Sequence, residues 1–294
     1  CYICTQALHW KTKEGLVRGC SCRGTAGFVH VSCLAEQAKI LFEEVEENNL
    51  DNKLNERWMR WQVCGLCEQE YHGVVRCALG WACWKTYLGR PEGNWAHRCV
   101  MCVLGNGLYS AQHYADALSV MEAELSVKRR VGASEHDILV VQSNIANTYR
   151  SLGRLVESML LRREIYAQRL KLSGEEHPES TRETICYAVE LIDSRRFRDA
   201  KALTCKALPV ARRVLGEGNE TSIRMRLCYA KALVLDDSTM VDDLCEAVTT
   251  LEDAERIARR VLGGAHPLVE HIEYALGRLG EALRARETPS STPS

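Results

Sequence analysis

The sequence predicts a mainly α-helical chain built in two parts: a small cysteine-rich module held by metal, followed by a solenoid of helical-hairpin repeats. Three observations carry this. Of 15 cysteines, Cys1, Cys4, Cys20, Cys22, Cys33, Cys64 and Cys67 crowd the start of the chain. A pattern of near-constant period then recurs through the remainder. Aromatics at 6% with only 3 Phe, and 6 Pro in all, suit helices rather than a β-sandwich. The hydrophobic fraction of 46% is ample for a packed core and excludes global disorder.

Charge and hydropathy exclude two classes of partner. Lys+Arg 38 against Asp+Glu 39 leaves a net charge of -1, so no global field draws the chain to nucleic acid. The longest apolar stretch, Val74 to Leu88, is broken by Arg76 and Lys85. It falls short of the roughly 20 clean residues a spanning helix needs, so no membrane segment is expected. No secretory leader is visible, and the cysteine count is odd with several close pairs. Together these predict an intracellular, reducing compartment, the cytoplasm, with bound metal rather than disulfides. The chain begins on Cys1 rather than Met, which reads as a fragment or an incomplete gene product.

The first part is justified by its spacings. Cys1-x2-Cys4 is followed by Cys20-x-Cys22, His30-x2-Cys33 and Cys64-x2-Cys67. A Cys-x2-Cys turn brings two thiolates to one tetrahedral zinc at about 2.3 Å, and two pairs close the shell. Eight ligands in four pairs therefore predict two closed structural zinc sites with no open position for a catalytic water. Each would contribute on the order of 10 kcal/mol of coupled folding energy.

The order of four cysteines, one histidine and three cysteines, with one residue between the third and fourth ligands and seven before the histidine, resembles the RING-CH (RING-variant) zinc finger. The stretch Cys20 to Leu34 is similar to that family's central segment. PHD fingers share the ligand order, but usually with a wider third-to-fourth gap and a narrower fourth-to-fifth one. The resemblance implies a cross-brace, with Cys1, Cys4, His30 and Cys33 on one zinc and Cys20, Cys22, Cys64 and Cys67 on the other. It also implies ubiquitin ligase activity, the finger docking a ubiquitin-conjugating enzyme. Ile3 stands where the family carries an apolar docking residue, and Trp61 or Trp58 would extend that surface; the alternative is that Ile3 and Trp61 only cover the zinc sites. Two departures weigh against catalysis: Gly65 where RING ligases often have proline, and Glu68 where active ones often have a cation. Membrane residence, common among RING-CH ligases, is not carried over. The acidic run Glu43 to Glu56 reads as a solvated helix extension or loop.

The second part is justified by self-comparison. Leu104-Gly105, Ile145-Ala146, Tyr187-Ala188, Tyr229-Ala230 and Leu276-Gly277 align, the last after an insertion near Asp236-Asp237-Ser238. Second helices start at Tyr114, Leu155 and Phe197, with small residues Ala117, Ser158, Ala200 and Ala247 packing between helices. Arg pairs at Arg129, Arg212 and Arg259 end second helices, where cations suit the dipole, and His177-Pro178 and His266-Pro267 mark helix starts. This resembles the longer, kinesin-light-chain type of tetratricopeptide repeat, each unit burying its apolar face on its neighbour. Gly105-Asn106-Gly107 costs helix stability in the first unit. The expected boundaries are a finger at 1–70, a linker and joining helix at 71–95 (the helix from Leu79 to Leu88), the repeats at 96–287, and a disordered tail at 288–294. Metal removal is accordingly expected to unfold the finger and leave the array.

Among other candidates, Cys99-x2-Cys102 offers a third zinc site but reads more simply as core, as do Cys186, Cys205, Cys228 and Cys245. The faces of the first helices carry Asn106, Asn147, Arg150, Arg182, Arg224 and Lys231, a peptide groove whose Asn side chains would hold the backbone of an extended, acidic protein ligand; a solvated face with ordinary surface charges is the alternative. Combining the parts, the sequence predicts a modular ubiquitin ligase with two structural zinc ions and no catalytic residue of its own. The alternative is a non-catalytic scaffold.

Overall fold

Helix starts follow the turn chemistry. His177 Nδ1 accepts the N–H of Glu179 at 3.2 Å, and Pro178 takes the first helical position, where its missing donor is not needed. His266 Nδ1 accepts the N–H of Leu268 at 3.2 Å ahead of Pro267 in the same way. Asn94, Ser134 and Asn219 cap three further helices through their side-chain oxygens. Both His-Pro signals are therefore structural.

The computed structural model describes residues 1–91, 93–236, 238–264 and 266–287; the expected tail at 288–294 and Asp237 of the insertion lie outside them. Among these residues there are twelve α-helices: α1 (Val31–Glu47), α2 (Leu54–Trp58), α3 (Gly73–Tyr87), α4 (Trp95–Ser110), α5 (Tyr114–Arg130), α6 (Glu135–Ser151), α7 (Leu155–Ser173), α8 (Pro178–Asp193), α9 (Phe197–Leu215), α10 (Glu220–Leu235), α11 (Val241–Leu262) and α12 (Pro267–Glu287). Second helices begin at Tyr114, Leu155 and Phe197, and Ala117, Ser158, Ala200 and Ala247 are all fully buried. The fold is mainly α, as predicted.

The chain divides into two compact units, Cys1–Gly153 and Arg154–Ser294. In the first, α3 packs on both α1 and α4. The joining helix starts at Gly73, earlier than expected, because Val75, Leu79, Cys83 and Tyr87 form one buried stripe at four-residue spacing. Its first half closes over the cysteine module, joining Cys20, Cys33 and Cys64 in one cluster with Tyr71, Val75 and Leu79. Its second half joins Phe42, Trp58 and Trp61 to Val100 and Val103 of α4. Arg90 completes the join, donating to Glu46 at 2.5 and 2.8 Å while lying over the Tyr87 ring. Part of the acidic run is thus α1 itself, and Glu46 within it is ion-paired rather than simply solvated. The expected boundary at residue 70 runs through a shared core.

One glycine that weakens α4, and one of α3, have a use. A Cβ on Gly107 would meet the Arg76 carbonyl oxygen at 2.8 Å, and one on Gly80 would meet Leu104 Cα at 3.0 Å. Two backbones approach here as closely as only glycine allows.

In the second unit, consecutive helices from α7 to α12 pack in order, and α10 also contacts α8 and α12. One large cluster gathers Leu227, Leu233, Leu244, Leu251 and Leu279. The α7–α8 interface is polar instead. Arg162 Nη1 donates to Glu183 at 2.9 Å with the arginine 1% exposed, Ser158 Oγ donates to Glu190 at 2.9 Å, and Arg169 pairs with Glu179 at 2.9 Å. Charged side chains at helix-core spacing go unseen when only apolar periodicity is read. Cys228 is buried and Cys186 partly so, but Cys205 and Cys245 are exposed. Reading the latter two as core is corrected: they project from the outward faces of α9 and α11.

Candidate metal centre and docking face

The turns between Cys1 and Cys67 aim backbone donors at sulfur. The N–H groups of Ile3 and Cys4 point to Cys1 Sγ at 3.4 Å, and that of Leu66 to Cys64 Sγ at 3.4 Å. Such donors favour the thiolate form that binds metal. Antiparallel bridges at Val17–Val29 and Val63–Glu70 hold the loops in register. Cys1, Cys4, His30 and Cys33 form one group, and Cys20, Cys22, Cys64 and Cys67 a second. Within each group the ligand atoms lie within 4.8 Å of one another. The grouping coincides with the cross-brace that the resemblance implies.

The histidine is held in one orientation. His30 Nδ1 faces Cys4 Sγ at 3.3 Å and Cys33 Sγ at 3.6 Å. Its Nε2 donates to the Ala7 carbonyl at 3.3 Å, which leaves Nδ1 as the lone-pair nitrogen turned to the sulfurs. His30 also precedes α1, but its ring is engaged and cannot cap the helix. Glu14 does so instead, accepting the Ser32 N–H at 2.8 Å.

The electrostatics fit a dication. Burial, then the neighbouring thiols Cys20, Cys67 and Cys64, push the Cys22 thiol up to about 12. Burial and Cys4 push Cys33 up to about 11. Crowded thiols resist joint ionisation unless a cation stands among them. Four soft donors in each closed group, three or four of them sulfur, suit tetrahedral zinc. Among the described residues no other group of this kind forms, so Cys99 and Cys102 are not brought to a third site.

The two docking candidates part company. Trp61 is 1% exposed and packs edge-on to Tyr87, and Trp58 is buried beside Phe42. Neither offers a docking face; the expectation for Trp61 is corrected, because α3 covers it. Ile3 is half-buried and lines an apolar groove of about 340 Å³ beside the first cysteine group, together with Trp10, Ile40 and Leu41. Trp10 is 71% exposed and Ile40 54%. Both were missed in the sequence, although signals existed: Trp10 is a lone aromatic in a polar loop between ligand pairs, and Ile40 follows Cys33 by two helical turns. Gly65 and Glu68 are both exposed, the latter at φ 55.

The six groove candidates divide between the compact units. Asn106, Asn147 and Arg150 belong to the first, and Arg182, Arg224 and Lys231 to the second. Asn106 is half-buried and accepts from Asn144 Nδ2 at 3.4 Å, adding Asn144 of α6 to that face. Asn147 is half-buried and Arg150 exposed on the same helix. Arg182 is exposed on α8, and Lys231 is half-buried on α10. Arg224 is already engaged by Glu220 at 2.7 and 2.9 Å, so its charge is partly spent within α10.

Residues 1–50 match the RING-variant domain family, a stretch that ends before Cys64 and Cys67. Among solved structures, two crystal structures of a putative kinesin light chain with nearly identical TPR-like repeats, from Podosopora anserina, superpose with TM-scores of 0.51 and 0.50. Each is 17% identical, over 79% of this chain and 97% of the other. At that identity the likeness establishes the fold: a TPR-like array of helical hairpins. A search of curated proteins finds no match to this chain. Among the described residues no helix is long and apolar enough to cross a membrane.

Proposed function

We propose that this chain acts as a ubiquitin ligase of modular form. Two zinc ions, one in each cysteine group, would hold the finger. A ubiquitin-conjugating enzyme docks in the groove of Ile3, Trp10 and Ile40, and the helical array holds a protein substrate. The chemistry then needs no nucleophile from this chain: a substrate lysine attacks the carrier's thioester, the carrier's thiol leaves, and proximity supplies the rate. The observation that carries the reading is the exposed apolar groove beside the first cysteine group, where an uncovered Trp10 costs solubility unless a partner buries it. Substrate recognition rests on the Asn106, Asn144 and Asn147 face of α4 and α6 within the first unit.

Glu68 supports a second reading. It is exposed just past the eighth ligand, where an acid repels the surfaces a ligase must bridge, and it favours a scaffold whose finger only binds partners. Autoubiquitination of the zinc-loaded chain with a panel of conjugating enzymes separates the two. Ubiquitin transfer that is lost in Ile40→Asp supports the ligase; no transfer with any carrier leaves the scaffold.

A further inference from the structure

Beside α4 the first unit holds an open cleft, also of about 340 Å³, within the range of small-molecule sites. Its apolar wall includes Trp95 and Met101 of α4 and Val127 of α5. Its polar groups include Glu124, Lys128 and Arg98. Glu124 is 2% exposed, an unusual place for an acid on a repeat helix. Lys128, one turn on, stands 3.1 Å away, yet neither carboxylate oxygen accepts a well-aligned hydrogen bond. Burial pushes the Glu124 carboxyl above its ordinary range, opposed by Lys128. A buried carboxylate with one poorly aligned partner is a half-satisfied group, and such groups call for a reason. Two features bear on what would satisfy it. The ion pair offers one charge of each sign, and Lys128 has a long side chain that can turn outward.

We propose that this cleft binds a free α-amino acid with an apolar side chain. The ligand's ammonium takes Lys128's place on Glu124 and supplies the aligned donors that the carboxylate lacks. Lys128 swings onto the ligand's carboxylate, joined there by Arg98 from the exposed rim. The apolar side chain lies against Trp95, Met101 and Val127. Both halves of the Glu124–Lys128 pair are thereby re-paired, which a plain anion or a plain cation cannot achieve.

The test is calorimetric titration of the full zinc-loaded chain with L-leucine and L-methionine, and with N-acetyl-L-leucine and L-leucinamide as probes lacking one charge each. At least one free amino acid binds, and both blocked forms bind at least tenfold more weakly. Glu124→Gln weakens the free amino acid at least tenfold, and so does Arg98→Met, an exposed change that leaves the fold intact. Thermal melting of each variant guards against misfolding. No binding of either amino acid overturns the proposal. Equal binding of N-acetyl-L-leucine, which marks a simple anion site, or of L-leucinamide, which marks a simple cation site, does the same. Undiminished binding in well-folded Glu124→Gln is equally fatal.

Discussion

Gly19 lies so close to Val75 that a Cβ on the glycine would stand 2.4 Å from the valine Cβ. The next contact seals the join: the His72 N–H donates to the Gly19 carbonyl at 2.8 Å. The cysteine module and the joining helix α3 are therefore packed as one body. Gly19→Ala should cost about 1–3 kcal/mol through overpacking, measurable as a lower urea midpoint with an unchanged slope. A neutral result would mean that the join yields easily.

Metal removal should reach past the finger for the same reason. The module shares its core with α3 and α4, so chelation should expose amides from Gly73 to Ser110 in hydrogen exchange. Protection in α8 to α12 should persist, since those helices bury their own clusters. Unchanged protection across α3 and α4 after complete zinc loss would restore a separable finger.

The groove proposed for docking makes a sharper mutational prediction. Ile3→Ala and Trp10→Ala should each weaken a conjugating enzyme at least tenfold in a titration, on the scale of about 1.4 kcal/mol per tenfold, while zinc content stays constant. Trp61→Phe should leave affinity unchanged and lower stability, because Trp61 is 1% exposed. If Trp61→Phe alone abolished binding, the docking surface would have to be redrawn.

What could be read in the sequence follows from which signals are local. Ligand pairs, small-residue positions and second-helix starts at Tyr114, Leu155 and Phe197 are short-range patterns, and each stands where the spacing put it. The shared core was illegible because Val75 and Gly19 are distant in sequence and meet only in three dimensions. Trp61 misled for a related reason: beside a ligand pair it reads as surface, until α3 covers it. Glu183 and Arg162 were passed over because charge at a core position looks like a solvent face when only apolar periodicity is counted.

That buried pair carries its own prediction. Glu183→Ala removes the acceptor that stands 2.9 Å from Arg162 Nη1 and should cost about 1.5–3 kcal/mol in equilibrium unfolding, whereas Arg162→Leu with Glu183→Leu together should cost less than that single change. A single change costing under about 1 kcal/mol would indicate that water reaches Arg162.

The His-Pro turns predict a smaller effect. His177→Ala removes the acceptor for the Glu179 N–H and should cost about 0.5–2 kcal/mol, while His177→Asn, a good capping residue, should retain most of it. Urea titration of the two variants separates capping from any other use of the ring, and equal losses would point to such a use.

The most direct measurement is native mass spectrometry of the whole chain, with elemental analysis beside it. Two closed groups of four donors should give two zinc ions per chain, and Cys4→Ser or Cys67→Ser should each remove one and leave the other. A wild-type chain holding one zinc or none would contradict the paired-site finger on which docking depends, and a third would return Cys99 and Cys102 to consideration.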